Sequence, residues 1–294
     1  MRAYDVIHSV QDFTSLIWSE TGQTSASGGT FLKARTGIGA DATYYKLSCY
    51  DSYRGIYGHE CVNELIAARL MELLGVPHVR YTLVHARIVV DGTEYITWLA
   101  RSKSFRKTGE SKMAFDIFFD LMHEKGESQL KLCERFGWLA DVQRIMLVDY
   151  LIANRDRYGA NIEVLQSRDG SLRLAPLFDS GVSLVFSCYG DKECVRDFDP
   201  LKDVRANNFI GTRSLTENLR FVPADIAIGR LDENSREQLL AGLDGVLPQA
   251  HLDAIWNIIW QRWQHWTDMQ EARRTNSGAS DGDGTGRLDN GSAS

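Results

Sequence analysis

Apolar residues recur at intervals of three and four positions between residues 58 and 74, beginning at Val62. This spacing predicts a helix with one apolar side, and Gly75 is a typical helix end. Closer to the N-terminus, Asp12 is predicted to cap a short helix that ends at Trp18. The clearest helix of the first hundred residues is therefore the one over 58–74.

Runs of β-branched and aromatic residues predict strands on both sides of this helix. The segment TYYKLS, which contains Lys46, precedes the helix, and two strands over 80–90 and 93–99 follow it. Between those two strands, Asp91-Gly92 is a strong hairpin signal. The first hundred residues are thus predicted to be strand-rich around one helix.

The rest of the chain is mostly helical in its pattern. Helices are predicted over 112–123, 128–136, 138–153, 235–243 and 249 to about 274, with short strands over 162–165 and 172–175. The tryptophans of the last helix are predicted to pack against the fold, the alternative being an aromatic ligand box. The fold class is α+β, with a small strand-rich N-terminal lobe (1–102), a larger helical C-terminal lobe (103–275) and a disordered Gly/Ser/Asp-rich tail (276–294).

Composition limits the function classes. The chain has 294 residues, of which 44% are hydrophobic and 24% charged, as in soluble globular proteins. A net charge of −6 argues against a nucleic-acid-coating protein, so no direct nucleic-acid binding is expected, although a local basic patch stays open. No apolar run is long enough to span a membrane, and the N-terminus lacks a secretory signal, so we expect a cytoplasmic location.

The five cysteines are scattered and include no C-x-x-C pair. This argues against a disulfide framework or a structural zinc site and fits a reducing cytoplasm. Cys188 and Cys194 are expected to be two free thiols in a loop, with pairing or metal binding as the alternatives.

Candidate chemistry lies in NRDRYGAN and LFDSG, which contain Asp156, Asn161 and Asp179. Phosphoryl transfer needs a carboxylate to orient the attacking hydroxyl, and an amide oxygen with a second carboxylate to hold Mg²⁺. An Asp, an Asn five residues later and then an Asp-x-Gly turn supply these groups in that order. Each residue alone is also ordinary turn chemistry.

A strand lysine and a helix glutamate would complete the nucleotide site. Lys46 lies on the predicted strand, and Glu60 and Glu64 lie four positions apart on the helix that follows. A kinase lysine projects toward the phosphates and pairs with such a glutamate. A solvent-facing lysine is the competing interpretation.

The loop SASGGTFLKA has small residues that let backbone N–H groups approach phosphate oxygens. It matches neither common phosphate-loop motif, and a plain flexible hairpin is the alternative. The candidate nucleotide-binding residues of this loop are Ser27, Gly28, Gly29, Thr30 and Lys33.

Four segments together resemble the HipA-like Ser/Thr kinases: SGGTFLK, YYKLS, NELIAARLMELLG, and the pair NRDRYGAN and LAPLFDSG. The resemblance covers about residues 24 to 185 and implies a bilobal protein-kinase-like fold that uses ATP and Mg²⁺. It implies that Asp156 is the catalytic residue, that Asn161 and Asp179 are metal ligands, and that Glu64 pairs with the nucleotide-binding Lys46.

The chain departs from the family pattern at Tyr158, where members often have His, which weakens any role that needs an imidazole there. We also expect its N-terminus to be too short for the extra subdomain of full-length members, so it resembles the compact, stand-alone members of the family, and its partner interface is not predicted. Family kinases can be switched by phosphorylation of the Gly-rich loop, for which Ser25, Ser27 and Thr30 are candidates.

The sequence therefore predicts an ATP- and Mg²⁺-dependent Ser/Thr protein kinase that phosphorylates a protein hydroxyl and its own loop. One alternative keeps the fold but uses a small-molecule or phosphoinositide acceptor. Another is a pseudokinase interaction module with an antitoxin-like DNA-binding partner, as in toxin–antitoxin systems. The protein substrate is not predicted.

Overall fold

The structure is a computed structural model that describes residues 5–21 and 30–280. Part of the predicted phosphate loop and most of the predicted tail lie outside these ranges. The predicted positions that are not described are Ser25, Ser27, Gly28, Gly29 and residues 281–294.

A seven-stranded mixed sheet forms the first part of the described chain. Its strands are β1 (Val6–Asp12), β2 (Trp18–Thr21), β3 (Thr30–Thr36), β4 (Thr43–Asp51), β5 (Gly55–Ile56), β6 (Tyr81–Val90) and β7 (Thr93–Lys103). They are ordered β1-β6-β7-β4-β3-β2, with β5 attached to β4, and only the β1–β6 pair is parallel. The predicted turn joins β6 to β7, and Asp91 and Gly92 both have positive φ (48° and 78°), as a two-residue hairpin favours.

Helix α1 (Glu60–Leu74) packs across β4, β6 and β7 on one face of this sheet. Almost every one of its side chains is buried, because the sheet covers one side of the helix and the second part of the chain covers the other. It ends as predicted at Gly75, whose φ of 70° suits a residue without a side chain. Part of the opposite face of the sheet is covered by the connection between β1 and β2, through Phe13 and Leu16.

The second part of the described chain is mainly helical. It contains β8 (Ser111–Ala114), α2 (Phe115–Met122), α3 (Gln129–Arg135), α4 (Leu139–Leu151), β9 (Glu163–Gln166), β10 (Leu172–Leu174), α5 (Lys192–Arg196), α6 (Leu215–Asn218), α7 (Ser235–Leu240) and α8 (Gln249–Ser280). Strands β10, β9 and β8 form a small antiparallel sheet. The predicted α+β fold class is confirmed.

Helix α8 extends beyond the predicted end near residue 274 and includes 276–280, the first residues of the predicted tail. A helix that has already formed extends at little cost, since each added residue gains a hydrogen bond. The packing interpretation of its tryptophans is confirmed, because Trp263 and Trp266 are buried in the main core. None of the helices in the described ranges is both long and apolar enough to cross a membrane.

Two predictions of local structure are wrong. Asp12 does not cap a helix: its Oδ1 accepts hydrogen bonds from the backbone N (3.0 Å) and hydroxyl (2.7 Å) of Thr14, which forms a turn between two strands. The same side-chain chemistry serves helix caps and turns, so the residue type does not distinguish them. The helix predicted from residue 112 begins at Phe115, because Ser111–Ala114 pair with β9 instead.

The cysteine prediction is also wrong. Cys188 and Cys194 form a disulfide, with their Cα atoms 5.3 Å apart. The two cysteines are six positions apart in the sequence. Cys188 ends a short 3-10 helix over 186–188 and Cys194 lies on α5, and the chain between these two elements turns back so that the side chains meet. Cys49, Cys61 and Cys133 are buried, and none of them forms a disulfide with a described residue. The expectation of a cytoplasmic location rested in part on the absence of disulfides, and the Cys188–Cys194 bond removes that argument. The cytoplasmic location stays a prediction.

We expect Leu70→Ala to destabilise the protein by about 2–5 kcal/mol, because this fully buried α1 side chain would leave a cavity between sheet and helices. The matched control is Leu121→Ala in α2, where the leucine is 67% exposed and the change should stay within about 0.5 kcal/mol. Urea unfolding followed by circular dichroism measures both. Equal losses in the two variants would contradict this assignment of the core.

Candidate active site

Two lysines project from neighbouring strands on the face of the sheet that carries α1. Lys33 of β3 lies directly opposite Lys46 of β4 in the antiparallel register. Side chains of directly opposed residues point to the same face of a sheet. Both lysines line a cavity between the sheet and the turn around Asp179, together with Asp156 and Asn161.

Lys46 is held between two carboxylates. Its Nζ donates to Glu64 of α1 and, at 2.9 Å, to Oδ1 of Asp179. Burial alone would lower the pKa of Lys46, but the charges of Asp179 and Glu64 outweigh it and raise this pKa well above its usual value. The ammonium therefore stays charged. The Tyr81 ring, 5.6 Å from Nζ, forms another wall of its site.

Asp179 is fixed from both sides in a backbone conformation that aspartate seldom adopts. Its φ is +57°, in the left-handed region, which costs of order 1–3 kcal/mol for a non-glycine residue. Its second oxygen, Oδ2, accepts from Lys33 at 3.2 Å, and the next backbone N–H, that of Ser180, donates to Glu64 at 3.0 Å. Burial acts to raise the pKa of Asp179, but Lys33 and Lys46 hold it well below its usual value. The carboxylate is thus ionised.

Asp156 lies in the loop that follows α4, and its side chain is buried. Burial raises the pKa of this carboxyl group, a hydrogen bond from Asn207 acts to lower it, and the charge of Asp179 raises it further. The Nδ2 of Asn207 donates to Oδ1 of Asp156 at 3.2 Å. A raised pKa makes a carboxylate a better proton acceptor than an exposed one.

Asn161 ends a short 3-10 helix over Gly159–Asn161 and faces the same cavity. Its Nδ2 donates to the backbone oxygen of Asp156 at 2.9 Å, so its Oδ1 is the atom left for a ligand. Gly159 is required in this turn, since a Cβ there would lie 2.4 Å from the Cβ of Asp116. Tyr158, the departure from the family pattern, lines the cavity with a pKa raised by burial and by Asp156.

Arg157, which the sequence reasoning missed, ties the loop to the turn around Asp179. Its buried guanidinium pairs with Asp149 of α4 (Nη2–Oδ1, 2.9 Å) and donates to the backbone oxygen of Phe178 and to Oγ of Ser180. It also donates to the backbone oxygen of Asn161 at 3.2 Å. The signal that could have revealed the pair was Asp149 itself, an aspartate with apolar neighbours on both sides near the end of α4.

Two asparagines were missed as well. Asn63, one position before Glu64, donates through Nδ2 to the backbone oxygens of Gly181 (3.0 Å) and Ser183 (2.9 Å). This fixes the first turn of α1 to the segment after Asp179. Asn207 belongs to the region between 186 and 234 to which the sequence assigned no role, and no local pattern marks it.

Glu60, the other glutamate considered for Lys46, has a different environment. It is buried, it lines the cavity, and its Oε2 accepts from the backbone N of Cys49 at 3.3 Å. Burial raises the pKa of Glu60 to about 7. Gly181 lies against it, and a Cβ at position 181 would fall 3.1 Å from the Cβ of Glu60, so a larger residue there would press on α1.

The donor set fits Mg²⁺ and a nucleotide phosphate. Mg²⁺ is typically bound by one or two protein oxygen ligands together with phosphates and water, which matches one amide oxygen from Asn161 and one ionised carboxylate from Asp179. The described residues contain no group of three or more His, Cys, Asp or Glu side chains that could hold a metal by themselves. Lys33 and Lys46 supply the positive charge that phosphate oxygens need.

The structure thus places six of the predicted site residues around one cavity: Lys33, Lys46, Glu64, Asp156, Asn161 and Asp179. Thr30 begins β3, three positions before Lys33. Ser27, Gly28 and Gly29 lie in the part of the chain that the structure does not describe.

Comparison with known proteins gives similarity of structure only. No family model and no curated sequence matches the chain. Among solved structures, the proinflammatory kinase CtkA of Helicobacter pylori superposes with a TM-score of 0.60 at 13% identity, over 91% of this chain and 99% of that one. HipA of Shewanella oneidensis, solved with HipB and operator DNA, gives a TM-score of 0.35 at 16% identity, over 87% of this chain and 66% of that one.

The chain therefore has the fold of the CtkA kinase. The predicted kinase-like fold is confirmed by this likeness to the CtkA kinase. An identity this low leaves the chemistry to be argued from the site itself.

We expect Asp149→Ala to destabilise the protein by about 3–5 kcal/mol, because it leaves the buried guanidinium of Arg157 without its partner. Asp141→Ala is the matched control on the same helix: Asp141 pairs with Arg144 at the surface, and its loss should cost about 0–1 kcal/mol. Chemical unfolding measures the free energy of unfolding of both variants. Similar decreases in the two would contradict a structural role for the buried ion pair of Arg157 and Asp149.

We expect Glu60→Gln to change how stability depends on pH. A folded pKa of about 7 against an ordinary 4.5 means that the folded state binds the proton more tightly. The stabilisation is full below pH 4.5 and is lost as pH rises through 7, roughly 3 kcal/mol in all. The difference in unfolding free energy between wild type and Glu60→Gln, measured across this range, should follow that course. Glu124→Gln, at an exposed position, should show no such trend.

Proposed function

We propose that this chain is an ATP- and Mg²⁺-dependent phosphotransferase that phosphorylates Ser or Thr hydroxyls of a protein. The observation that carries the proposal is the meeting of Lys46, Glu64, Asn161, Asp156 and Asp179 at one cavity. These residues come from a strand, a helix, a loop and a turn that are far apart in the sequence. A scaffold protein has no need for such a combination.

Each side chain has one role in the proposal. Lys46 and Lys33 bind phosphate oxygens, and Glu64 holds Lys46 in place. Asn161 and Asp179 hold Mg²⁺, which, when bound, offsets the negative charge of the phosphates. Ser27, Gly28, Gly29 and Thr30 precede Lys33 and provide backbone N–H groups to the nucleotide.

Asp156 orients the acceptor hydroxyl and accepts its proton. Asn207 donates a hydrogen bond to its side chain, and Asn161 donates one to its backbone oxygen. Arg157 in turn donates to the backbone oxygen of Asn161, and together these bonds fix the position of Asp156. The raised pKa of Asp156 and its burial suit proton acceptance. The two-lobe division at residues 102 and 103 is part of the same proposal, with the cavity between the lobes.

We expect Asp156→Asn and Asp179→Asn to lower phosphoryl transfer from γ-labelled ATP by about 10²-fold or more, because the first removes the proton acceptor and the second a metal ligand. Asp169→Asn, a change in the exposed β9–β10 turn, is the matched control and should keep wild-type transfer. Mass spectrometry of the wild-type protein would locate any phosphate on its own loop.

A nucleotide-binding measurement separates the two roles. Asp156→Asn should keep the Mg²⁺-dependent thermal stabilisation by ATP, whereas Asp179→Asn should lose it. Equal labelling in wild type and all three variants would contradict the proposed function.

A further inference from the structure

A groove of about 590 Å³ lies on the face of the sheet opposite the candidate active site. Strand register shows this placement: Tyr45 and Arg101 are cross-strand partners, one position away from the inward-facing pair of Lys46 and Ala100. Because side chains alternate along a strand, the two pairs point to opposite faces. We call this feature the basic groove. Its lining includes Arg80, Arg101, Lys103, Thr43, Tyr45 and Phe105.

The charges of the basic groove are of one sign. Its charged side chains are Arg80, Arg101 and Lys103, and no acidic side chain of the described residues lines it. Arg101 forms no ion pair with a described residue, and Lys103 donates only to the hydroxyl of Thr43 at 2.8 Å. Arg80 is 82% exposed and contacts Glu72 at 3.6 Å, a weak surface pair. Clustered positive charge with only one weak ion pair is unusual in a chain whose net charge is −6.

We propose that the basic groove binds an acidic segment of a partner protein. Arginine pairs with carboxylates through two parallel hydrogen bonds, and the hydroxyls of Thr82 and Ser104 add further polar groups along the groove. A long nucleic acid fits less well, because the groove offers few phosphate contacts and the acidic remainder of the chain repels a longer polyanion. Surface charges act over about 8–10 Å at physiological salt, so a short segment senses mainly the groove.

The groove is also connected to the candidate active site. Phe105, at its end, stacks on Phe178 with ring centroids 5.5 Å apart, and Asp179 is the next residue. His78, which lines the groove, forms a β-bridge with Leu177. The partner is therefore the protein acceptor itself, held by its acidic segment while its hydroxyl reaches Asp156. This last step rests on the proposed function, whereas binding of the segment does not.

The test is fluorescence anisotropy with a labelled Glu/Ser peptide and no ATP. Wild type should bind the peptide at about 50 mM salt and lose affinity at about 500 mM. The double variant Arg80→Glu/Arg101→Glu should bind at least about tenfold more weakly, since two attractive charges become repulsive. Arg87→Glu/Lys131→Glu changes the net charge equally at exposed positions outside the groove and should stay within about twofold of wild type.

Three results would overturn the proposal. The first is that wild type does not bind the peptide, and the second is that both double variants lose affinity equally. The third is that a DNA oligonucleotide of equal charge binds wild type more tightly than the peptide does and binds Arg80→Glu/Arg101→Glu more weakly. The last result would assign the groove to nucleic acid. Circular dichroism checks the fold of each variant, and Arg101→Gln serves as a milder change. Because peptide binding is measured without ATP, it tests the groove even if the protein transfers no phosphate.

Discussion

The buried ammonium of Lys46, held between Glu64 and Asp179, is the interaction on which the rest of the site depends. A charge removed from water is tolerated only when partners of opposite sign surround it. Here the partners come from α1 and from the turn after β10, so the same contact joins sheet, helix and second part of the chain. It also helps to hold Asp179 in its left-handed backbone conformation, since the carboxylate is bound by two lysines and the following N–H by Glu64.

A second layer of contacts gives this cluster its shape. Arg157 connects α4 to the backbone oxygen of Phe178, to the hydroxyl of Ser180 and to the backbone oxygen of Asn161. Asn63 connects α1 to the segment that follows Asp179. These side chains would not touch a substrate. They determine where the residues that do so are placed, because several hydrogen bonds made at once restrict a polar network to few arrangements. The basic groove on the other face joins the same turn through Phe105 and Phe178.

Where local signals were strong, the sequence predicted the fold well. The spacing of α1, its glycine end and the Asp91-Gly92 hairpin depend on neighbouring residues alone, and all three are confirmed. The prediction of a helix cap at Asp12 failed, because an aspartate side chain can accept backbone hydrogen bonds in a helix cap and in a turn alike. The helix prediction failed at residues 112–114, because their strand partner lies about fifty positions away in β9. The Cys188–Cys194 pairing depends on how a short loop folds back, which spacing does not reveal.

The sequence by itself determined which chemical groups are available and in what order: a strand lysine, a helix glutamate, and the aspartates and asparagine of two short motifs. It could not decide from spacing between Glu60 and Glu64, since both occupy the same side of one helix. Tertiary structure decided this, turning Glu64 to Lys46 and leaving Glu60 against the backbone of Cys49. It also brought Asn207 to Asp156 and gathered the basic residues that precede β6 and end β7 into one groove. Such contacts join residues that are distant in the sequence, and only packing brings them together.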